Sequence, residues 1–599
     1  MRRTTNAERR VAPVATLLGI AFFAVYATLA ARDVMFGDAS ELVASAAQNG
    51  IAHPPGYPLW IMLGHLAALL PVGPLPFRVN LTAAAYHAVT VSVVYASGYV
   101  LTRRHGPALF AALLLAIGSP LFVTWSLQAD VFSLNDLFAA TIVLLCLLWL
   151  DDARRSSLIV PIAALFGLGL ANHQTLILLA PLPLWVAWCG REALKSATDL
   201  PKILGAAALL MLLGFWLPYV HTILASQRLA QWQFGEARSF SELIDVIDRH
   251  AFGTLNLVPG AALQGGFPAQ RAAALVTLGG WPYLAVAAGL AGLALRKRYA
   301  ELILAALIIA GPLLAFCIVA NLNLDLEISL GVFSRFGLLP LVALAPFSAC
   351  AVFALEALVR DRALRIVASV VTLCGALLPA ALHLSTLSLA GAHDPRNLSR
   401  DVFAGVPARA ILLAASDAVE LPPKYFQDME GWRPDVIIIR YGFLRWEEYQ
   451  NELRRTLVVP PEVGRLAIPS QARDVLARAN PSRRFFVVGD RPIHAPGPFY
   501  KPLVDGVVSQ MIPLRERVDV RRHYDDESTL QSRSGYANVN SAFWTTNGFG
   551  SQVRTFYAGG FFSTGVDAKY LGDRKAARGW FERAGGYATD PLIDQELQR

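Results

Sequence analysis

The chain has 599 residues, 55% of them hydrophobic and 16% charged, with a mean hydropathy of +0.45. A soluble globular chain carries about 25% charged residues, so a wholly soluble protein is excluded. The net charge of +8 does not point to nucleic acid, because basic residues gather at the ends of apolar runs, as in Arg103-Arg104-His105, Arg154-Arg155 and Arg296-Lys297-Arg298, with no stripe interleaved with aromatics.

Residues 1–10 hold four arginines and one acid, ahead of an apolar run from Val11 to Ala30. That run exceeds the roughly 7–15 residues of a signal-peptide core, so it reads as a retained first helix with a cytoplasmic N-terminus. Apolar runs long enough to cross roughly 30 Å of hydrocarbon follow. They fall at approximately 79–101, 107–124, 131–150, 157–172, 175–190, 201–223, 272–295, 300–320, 329–357 and 364–388, about eleven spans with the first. Alternate counting puts the basic clusters on cytoplasmic turns, together with Arg191, Lys195, Lys202, Arg360, Arg362 and Arg365. An odd count leaves the C-terminal part outside, which predicts a multi-pass protein of a bacterial inner membrane with a periplasmic C-terminal domain. All five cysteines lie in apolar runs and read as small core residues.

The predicted division is 1–391, a transmembrane domain with external segments at 32–78 and 224–271, and 392–599, a soluble domain. In the first external segment, Ala39–Asn49 reads as an interfacial helix ended by Gly50, and Leu59–Leu70 is apolar but too short to span. In the soluble domain, Ala410–Ala415, Val436–Ile439 and Phe485–Val488 read as buried strands. Helical patterns at 423–430, 446–456 and 471–480 separate them, so the alternation predicts a small parallel α/β sheet. Residues 568–584 resemble one tetratricopeptide-type helical hairpin, which cannot bury its own core and must cap the domain.

The densest chemistry is in the first external segment. Asp38 and Glu41 stand just outside the first span, where carboxylates need water, a cation or a substrate. They also have the spacing of a capping box, and the two roles are compatible. His53-Pro54-Pro55-Gly56-Tyr57-Pro58 is a proline-stiffened strap that fixes the direction of its histidine, which suits contact with a phosphate or sugar. The alternative is that the strap merely turns the chain. Further polar residues are predicted on the same face: Arg78, Gln128, Asp130, Asn135, Asn172, His173, Gln174, Arg249 and His250. Arg335 lies about six residues inside a span, where its guanidinium offers a fork for a lipid phosphate. An ion pair with Asp325 or Glu327 is the competing reading. No Walker loop, dinucleotide glycine motif, HExxH or nucleophile elbow is present.

These residues carry a resemblance. Residues 37–81 (GDASELVASAAQNGIAHPPGYPLWIMLGHLAALLPVGPLPFRVNL), with WSLQADVFSLN (125–135), GLANHQT (169–175), RHAFGTL (249–255), SRFGLLP (334–340) and SDAVELPPKYFQDMEGWRPDV (416–436), resemble the transmembrane protein 260-like O-mannosyltransferases. The resemblance implies a GT-C membrane glycosyltransferase fold and a polyprenyl-phosphate-linked sugar as donor. It also implies an acidic catalytic residue in the first external loop, the position of Asp38, with Glu41 as the second acid.

The expectation is transfer of a hexose such as mannose to a protein Ser/Thr or glycan hydroxyl at the outer surface of the bilayer, with Asp38 as general base. Arg335, His53 and His173 would stabilise the departing phosphate, and Tyr57, Arg78, Gln128, Asp130, Asn172 and Arg249 would line the donor site. No cofactor is required, although Asp38 and Glu41 offer oxygen ligands that suit magnesium or manganese. The rivals are a lipid- or lipopolysaccharide-modifying transferase, a transporter of lipid-linked sugars, and a binding domain on a membrane anchor. No inverted repeat supports transport, and anchoring needs far fewer spans.

Overall fold

The structure is a computed structural model. It describes residues 11–598 except 229–231, 233–236, 251–252, 255–256, 258–264, 326, 362, 369, 372–373, 375–385, 467, 490–495 and 534–547. Contacts divide the chain into two compact units: Met1–Arg32 with Ser45–Ala392, and Asp33–Ala44 with His393–Arg599.

The first unit is helical and membrane-crossing in character. Among the described residues, six helices are long and apolar enough to span: Val11–Leu29, Leu75–Thr102, Phe132–Asp151, Leu200–Ser226, Tyr299–Val319 and Ser329–Leu358. Leu75–Thr102 is the hub, packing on Val11–Leu29, His105–Ala116 and Phe132–Asp151. Pro268–Gly279 and Trp281–Leu295 make a seventh span if taken together, but they meet at 98°. Gly280 at φ 67 and Pro282 at the next helix start account for the bend. Three other expected spans are shorter apolar helices: His105–Ala116, Ser156–Leu170 and Gln174–Cys189. The first of these stops because Gly118-Ser119-Pro120 breaks it. Ser119 is extended, as residues before proline prefer, and its hydroxyl accepts the Phe122 N–H at 3.4 Å to start a new turn. The expected span at 364–388 falls largely outside the described residues.

Small residues set how closely these helices approach. A Cβ on Gly167 would lie 2.2 Å from the Met211 carbonyl oxygen, and one on Gly214 would lie 2.9 Å from the Leu168 nitrogen. The helices Ile159–Leu170 and Leu200–Ser226 therefore touch backbone to backbone, the close packing that glycine permits inside a bilayer. Arg104 and Arg296 converge on Glu356, the latter at 2.8 Å, while Arg103 pairs with Asp151 and Arg298 donates to the Leu101 carbonyl. The turns at 103–104 and 296–298 thus share one end of this unit.

The C-terminal unit is built on a five-stranded sheet of order β2-β1-β3-β5-β4. Strands β1 (Ile411–Ala414), β2 (Ile437–Arg440) and β3 (Phe485–Val488) are parallel, and all are apolar runs that suit burial on both faces. β4 (Tyr500–Asp505) and β5 (Val508–Pro513) form an antiparallel hairpin, turning at Gly506 with φ 67. Helices Asp417–Glu430, Glu447–Leu453 and Pro469–Ala479 lie between the parallel strands in sequence. Helix Asp417–Glu430 starts six residues before the expected point and contains Pro422 and Pro423. The helices Gly548–Tyr570 and Arg574–Gly585 form a hairpin whose first helix lies almost wholly before the expected 568–584, with Ala568, Ala577 and Phe581 buried between them and Tyr524, Trp580 and Leu597 packed around.

Asp33–Ala44 packs as part of this second unit. Asp33 is buried and receives Arg396 at 2.5 Å. Arg396 also reaches Glu430 at 2.6 Å and lies over the rings of Phe426 and Trp432. Gly37, at φ 73, leaves room for Phe549, whose ring would be 2.8 Å from a Cβ there.

Candidate active site

The first unit gathers most of the residues singled out as donor-binding. The strap ends in Tyr57 at φ 46, ahead of helix Pro58–Ala68, and the Tyr57 hydroxyl lies 3.1 Å from His53 Nε2. The Tyr57 ring stacks on His173, centroids 5.9 Å apart and planes within 11°. His173 also meets Phe132 at 4.5 Å and Phe336 at 6.0 Å. Asp130 accepts the Phe132 N–H at 3.0 Å through one oxygen and faces Arg335 Nη1 at 3.4 Å with the other. The Arg335 guanidinium lies 5.4 Å from the centre of the Phe132 ring. Its carboxylate partner is therefore Asp130, a residue also expected at the site, and its pairing follows the rule for charges near a bilayer.

Asn172 donates to the Val131 carbonyl at 3.1 Å, and Gln128 is buried in the same turn region. Asn80 fixes that turn by accepting from Ala129 N–H at 2.8 Å and donating to the Ala31 carbonyl at 2.9 Å. Helix Phe240–Ile247 is tied to this region: Gln174 donates to the Ile247 carbonyl, and Val246 lies against Gly56 of the strap. Arg249 follows at φ 59 and donates to the Leu257 carbonyl at 3.1 Å. Left-handed backbone at Tyr57 and Arg249 costs about 1–2 kcal/mol each for residues with a Cβ, and such strain concentrates at functional sites.

Burial and charge together set the form of His173. Burial, then the charges of Arg249, Arg335 and His53, push the His173 imidazole down to about 3. It is neutral at physiological pH. The Thr175 backbone N–H donates to Nδ1 at 3.3 Å, and the Thr175 hydroxyl sits 2.7 Å from the same atom. Nδ1 is thus the acceptor, and the ring proton is assigned to Nε2, which becomes a neutral hydrogen-bond donor.

Two expected residues go elsewhere. Arg78 donates to the carbonyls of Ala68, Val72 and Gly73 at 3.1–3.2 Å and closes the end of helix Pro58–Ala68. His250 stands on a largely exposed turn with Asp245 and Asp248. Residues that the sequence reading did not single out are Phe132, Phe336, Thr175 and Asn80. The first two were legible as aromatics flanking Asp130 and Arg335.

Asp38 and Glu41 belong to the second unit and occupy the first turn of helix Asp38–Gln48, where the helix dipole favours negative charge. Asp38 is half-buried and Glu41 buried. Their oxygens come within 4.8 Å of one another, which suits two positions in a magnesium or manganese shell. Burial pushes nearby Glu420 up to about 8, against the pull of Arg440 and with repulsion from Asp417 and Glu41 added.

Taken together, the apolar helices and the C-terminal sheet domain define a class, that of multi-pass membrane proteins with an α/β domain at the C-terminal end. Comparison with known proteins then shows the family resemblance read from the sequence: residues 38–196 match the family described as the protein O-mannosyl-transferase TMEM260 N-terminal domain. The mouse protein O-mannosyl-transferase TMEM260 is 28% identical over 461 residues, covering 72% of this chain and 64% of its own length. The Dictyostelium discoideum protein of the same name is 25% identical over 565 residues, covering 84% of this chain and 66% of its own. The chain thus spans just under two thirds of the length of these relatives. Among solved structures, apo ArnT from Cupriavidus metallidurans is similar at 13% identity and a TM-score of 0.46, over 74% of this chain and 95% of that one. A likeness of that order leaves the fold to be argued from the helices themselves.

Proposed function

We propose that this protein is a GT-C-type glycosyltransferase that moves a sugar, a hexose such as mannose, from a polyprenyl-phosphate donor to a hydroxyl acceptor at the outer face of a bacterial inner membrane. The acceptor is a protein Ser/Thr or a glycan. The observation that carries this reading is the Arg335–His173–Arg249 cluster, two cations and a neutral N–H donor walled by Phe132, Phe336 and Tyr57. It suits a lipid phosphate, and it lies in a chain similar to named O-mannosyl-transferases.

Asp38 takes the proton from the acceptor hydroxyl as its oxygen bonds to the anomeric carbon. The bond from that carbon to the phosphate oxygen breaks, and the polyprenyl phosphate leaves with the electron pair. Arg335, Arg249 and the His173 N–H stabilise the charge gathering there, the kind of term that is usually largest in such reactions. A lipid phosphate is a competent leaving group at neutral pH, so the reaction needs no nucleotide.

The test is sugar transfer from labelled polyprenyl-phosphate mannose and glucose by the purified full chain, with a membrane extract as acceptor. Removing a general base costs about a hundred-fold or more, so Asp38→Asn is expected to lose transfer to that extent while remaining folded. Transfer surviving in Asp38→Asn would move the base to Glu41. Movement of the lipid across proteoliposomes without any transfer would replace the enzyme with a transporter.

A further inference from the structure

The first unit holds a buried polar chain that the reaction above does not use. His87 stands in the middle of helix Leu75–Thr102. Its Nδ1 lies 2.8 Å from the Ser126 hydroxyl and its Nε2 3.1 Å from Asp136 Oδ2, and all three residues are fully buried. The Phe122 ring stacks on the imidazole, centroids 4.0 Å apart. Serine, histidine and aspartate in this order are the parts of a hydrolytic triad, but the single hydroxyl hydrogen of Ser126 goes to the Phe122 carbonyl at 2.7 Å. His87 Nδ1 is therefore assigned as the donor to Ser126 Oγ, the reverse of what a nucleophile needs. No substrate reaches a side chain without exposed surface, so the three residues hold structure and do not react.

What they hold is the segment that carries the donor site. Asn80 precedes His87 by two turns of the same helix and shares its face. Asn80 accepts the Ala129 N–H at 2.8 Å, while His87 meets Ser126 on one side of Ala129 and Asp136 on the other. Residues 126–136 are thus fastened at three points to one helix. Between those points stand Gln128, Asp130 and Phe132. Asp130 faces Arg335 at 3.4 Å, and the Phe132 ring lies against both His173 and the Arg335 guanidinium. Asp136 follows Phe132 by one turn, so a bond at Asp136 fixes the rotation of helix Phe132–Asp151 and with it the direction of that ring. Buried hydrogen-bond networks of this kind rigidify a core and select one arrangement of it.

We propose that His87, Asp136 and Ser126 are positioning residues for the donor phosphate. They fix residues 126–136 so that Asp130 holds the Arg335 fork, and Phe132 its ring wall, in register with the phosphate. This role rests on the reading of the Arg335 cluster as the phosphate site.

Steady-state kinetics of the full chain on the labelled polyprenyl-phosphate sugars, read beside its Kd for unlabelled polyprenyl phosphate, test it. A group misplaced by about 1 Å costs about a hundred-fold, so a fraction of that shift at Arg335 is expected to cost about ten-fold. Ser126→Ala and Asp136→Leu should each raise the donor KM and the polyprenyl phosphate Kd by that factor, with kcat and the acceptor KM unchanged. Asp136→Asn keeps a hydrogen-bond partner for His87 Nε2 and should restore most of the donor affinity. Ser126→Ala removes a single oxygen and carries the test where Asp136→Leu does not fold. Combined with Arg335→Lys, Ser126→Ala should cost less than the product of the single losses, because both act on one fork. An unchanged donor KM and Kd in Ser126→Ala and Asp136→Leu, an Asp136→Asn no better than Asp136→Leu, or losses that multiply with Arg335→Lys overturns the positioning role and leaves the transferase intact. A wild-type chain that neither transfers sugar nor binds polyprenyl phosphate overturns both.

Discussion

His173 shows how burial and neighbouring charge choose a side chain's chemical form. An exposed histidine titrates near neutrality, whereas this one is neutral well below it. In the proposed reaction its contribution is that of a fixed N–H dipole. His173→Gln, which keeps a neutral donor, should hold kcat within about ten-fold, while His173→Phe should lose about a hundred-fold, the cost of removing a donor to a developing oxyanion. Equal losses in the two variants would show that the ring packs and does not donate. At Arg335 the fork matters as well as the charge. Arg335→Lys should raise the donor KM by about ten-fold with little change in kcat, and an unchanged KM would take it out of the donor site. Most of this cluster was legible, because polar residues at apolar span ends are costly without a purpose. The diversion of Arg78 was not. Only the folded turn at 68–73 reveals three carbonyls converging on its guanidinium.

At the scale of elements, the parallel strands could be read directly, since ILLA, IIIR and FFVV are short apolar runs between helical patterns. The β4–β5 hairpin escaped because Pro502, Lys501 and Gln510 blur the alternation, although Gly506-Val507, with glycine first at positive φ, is a favoured two-residue turn. The helix breaks were read through, as continuous spans at 107–124 and 272–295, although the residues that cause them stand in the sequence. Gly118-Ser119-Pro120 and Gly279-Gly280 both interrupt apolar runs that hydropathy alone reads as continuous. The Gly167–Gly214 contact was invisible, because a lone glycine in a helix does not say what comes near it. Filling it is expected to be severe: Gly167→Val meets the Met211 carbonyl and should destabilise the helix pair by about 1–3 kcal/mol or more, read as a lower yield of monodisperse protein in detergent. Gly205→Ala, on the same long helix with open space around it, should be silent, and a matching loss there would sink the packing argument.

At the scale of the whole molecule, the C-terminal unit holds two buried carboxyls, Glu527 and Asp505, that prefer their protons. Burial pushes Glu527 up to about 8 and Asp505 up to about 7, and Glu527 accepts the Gly506 N–H at 2.8 Å. Folded pKa values above the unfolded ones mean that the folded state binds more protons, so this stabilisation is complete below about pH 4 and is lost as pH rises toward 8. Thermal unfolding of the full chain should show Tm falling between pH 5 and pH 9, by about 2–4 °C for each 1 kcal/mol lost. Glu527→Gln should flatten the fall, and parallel curves for the two proteins would refute the assignment.

The Arg396 clamp joins residues 363 positions apart, tying Asp33 to the unit that begins at His393. Ribosomes add roughly 5–20 residues per second, so the acidic turn is made some 20–70 s before the partner that Arg396 supplies. During that interval the membrane helices insert while Asp38 and Glu41 lack their final setting. A chain stopped before residue 393 therefore already carries Asp38 and Glu41 but not the residues of the second unit that surround them in the finished protein.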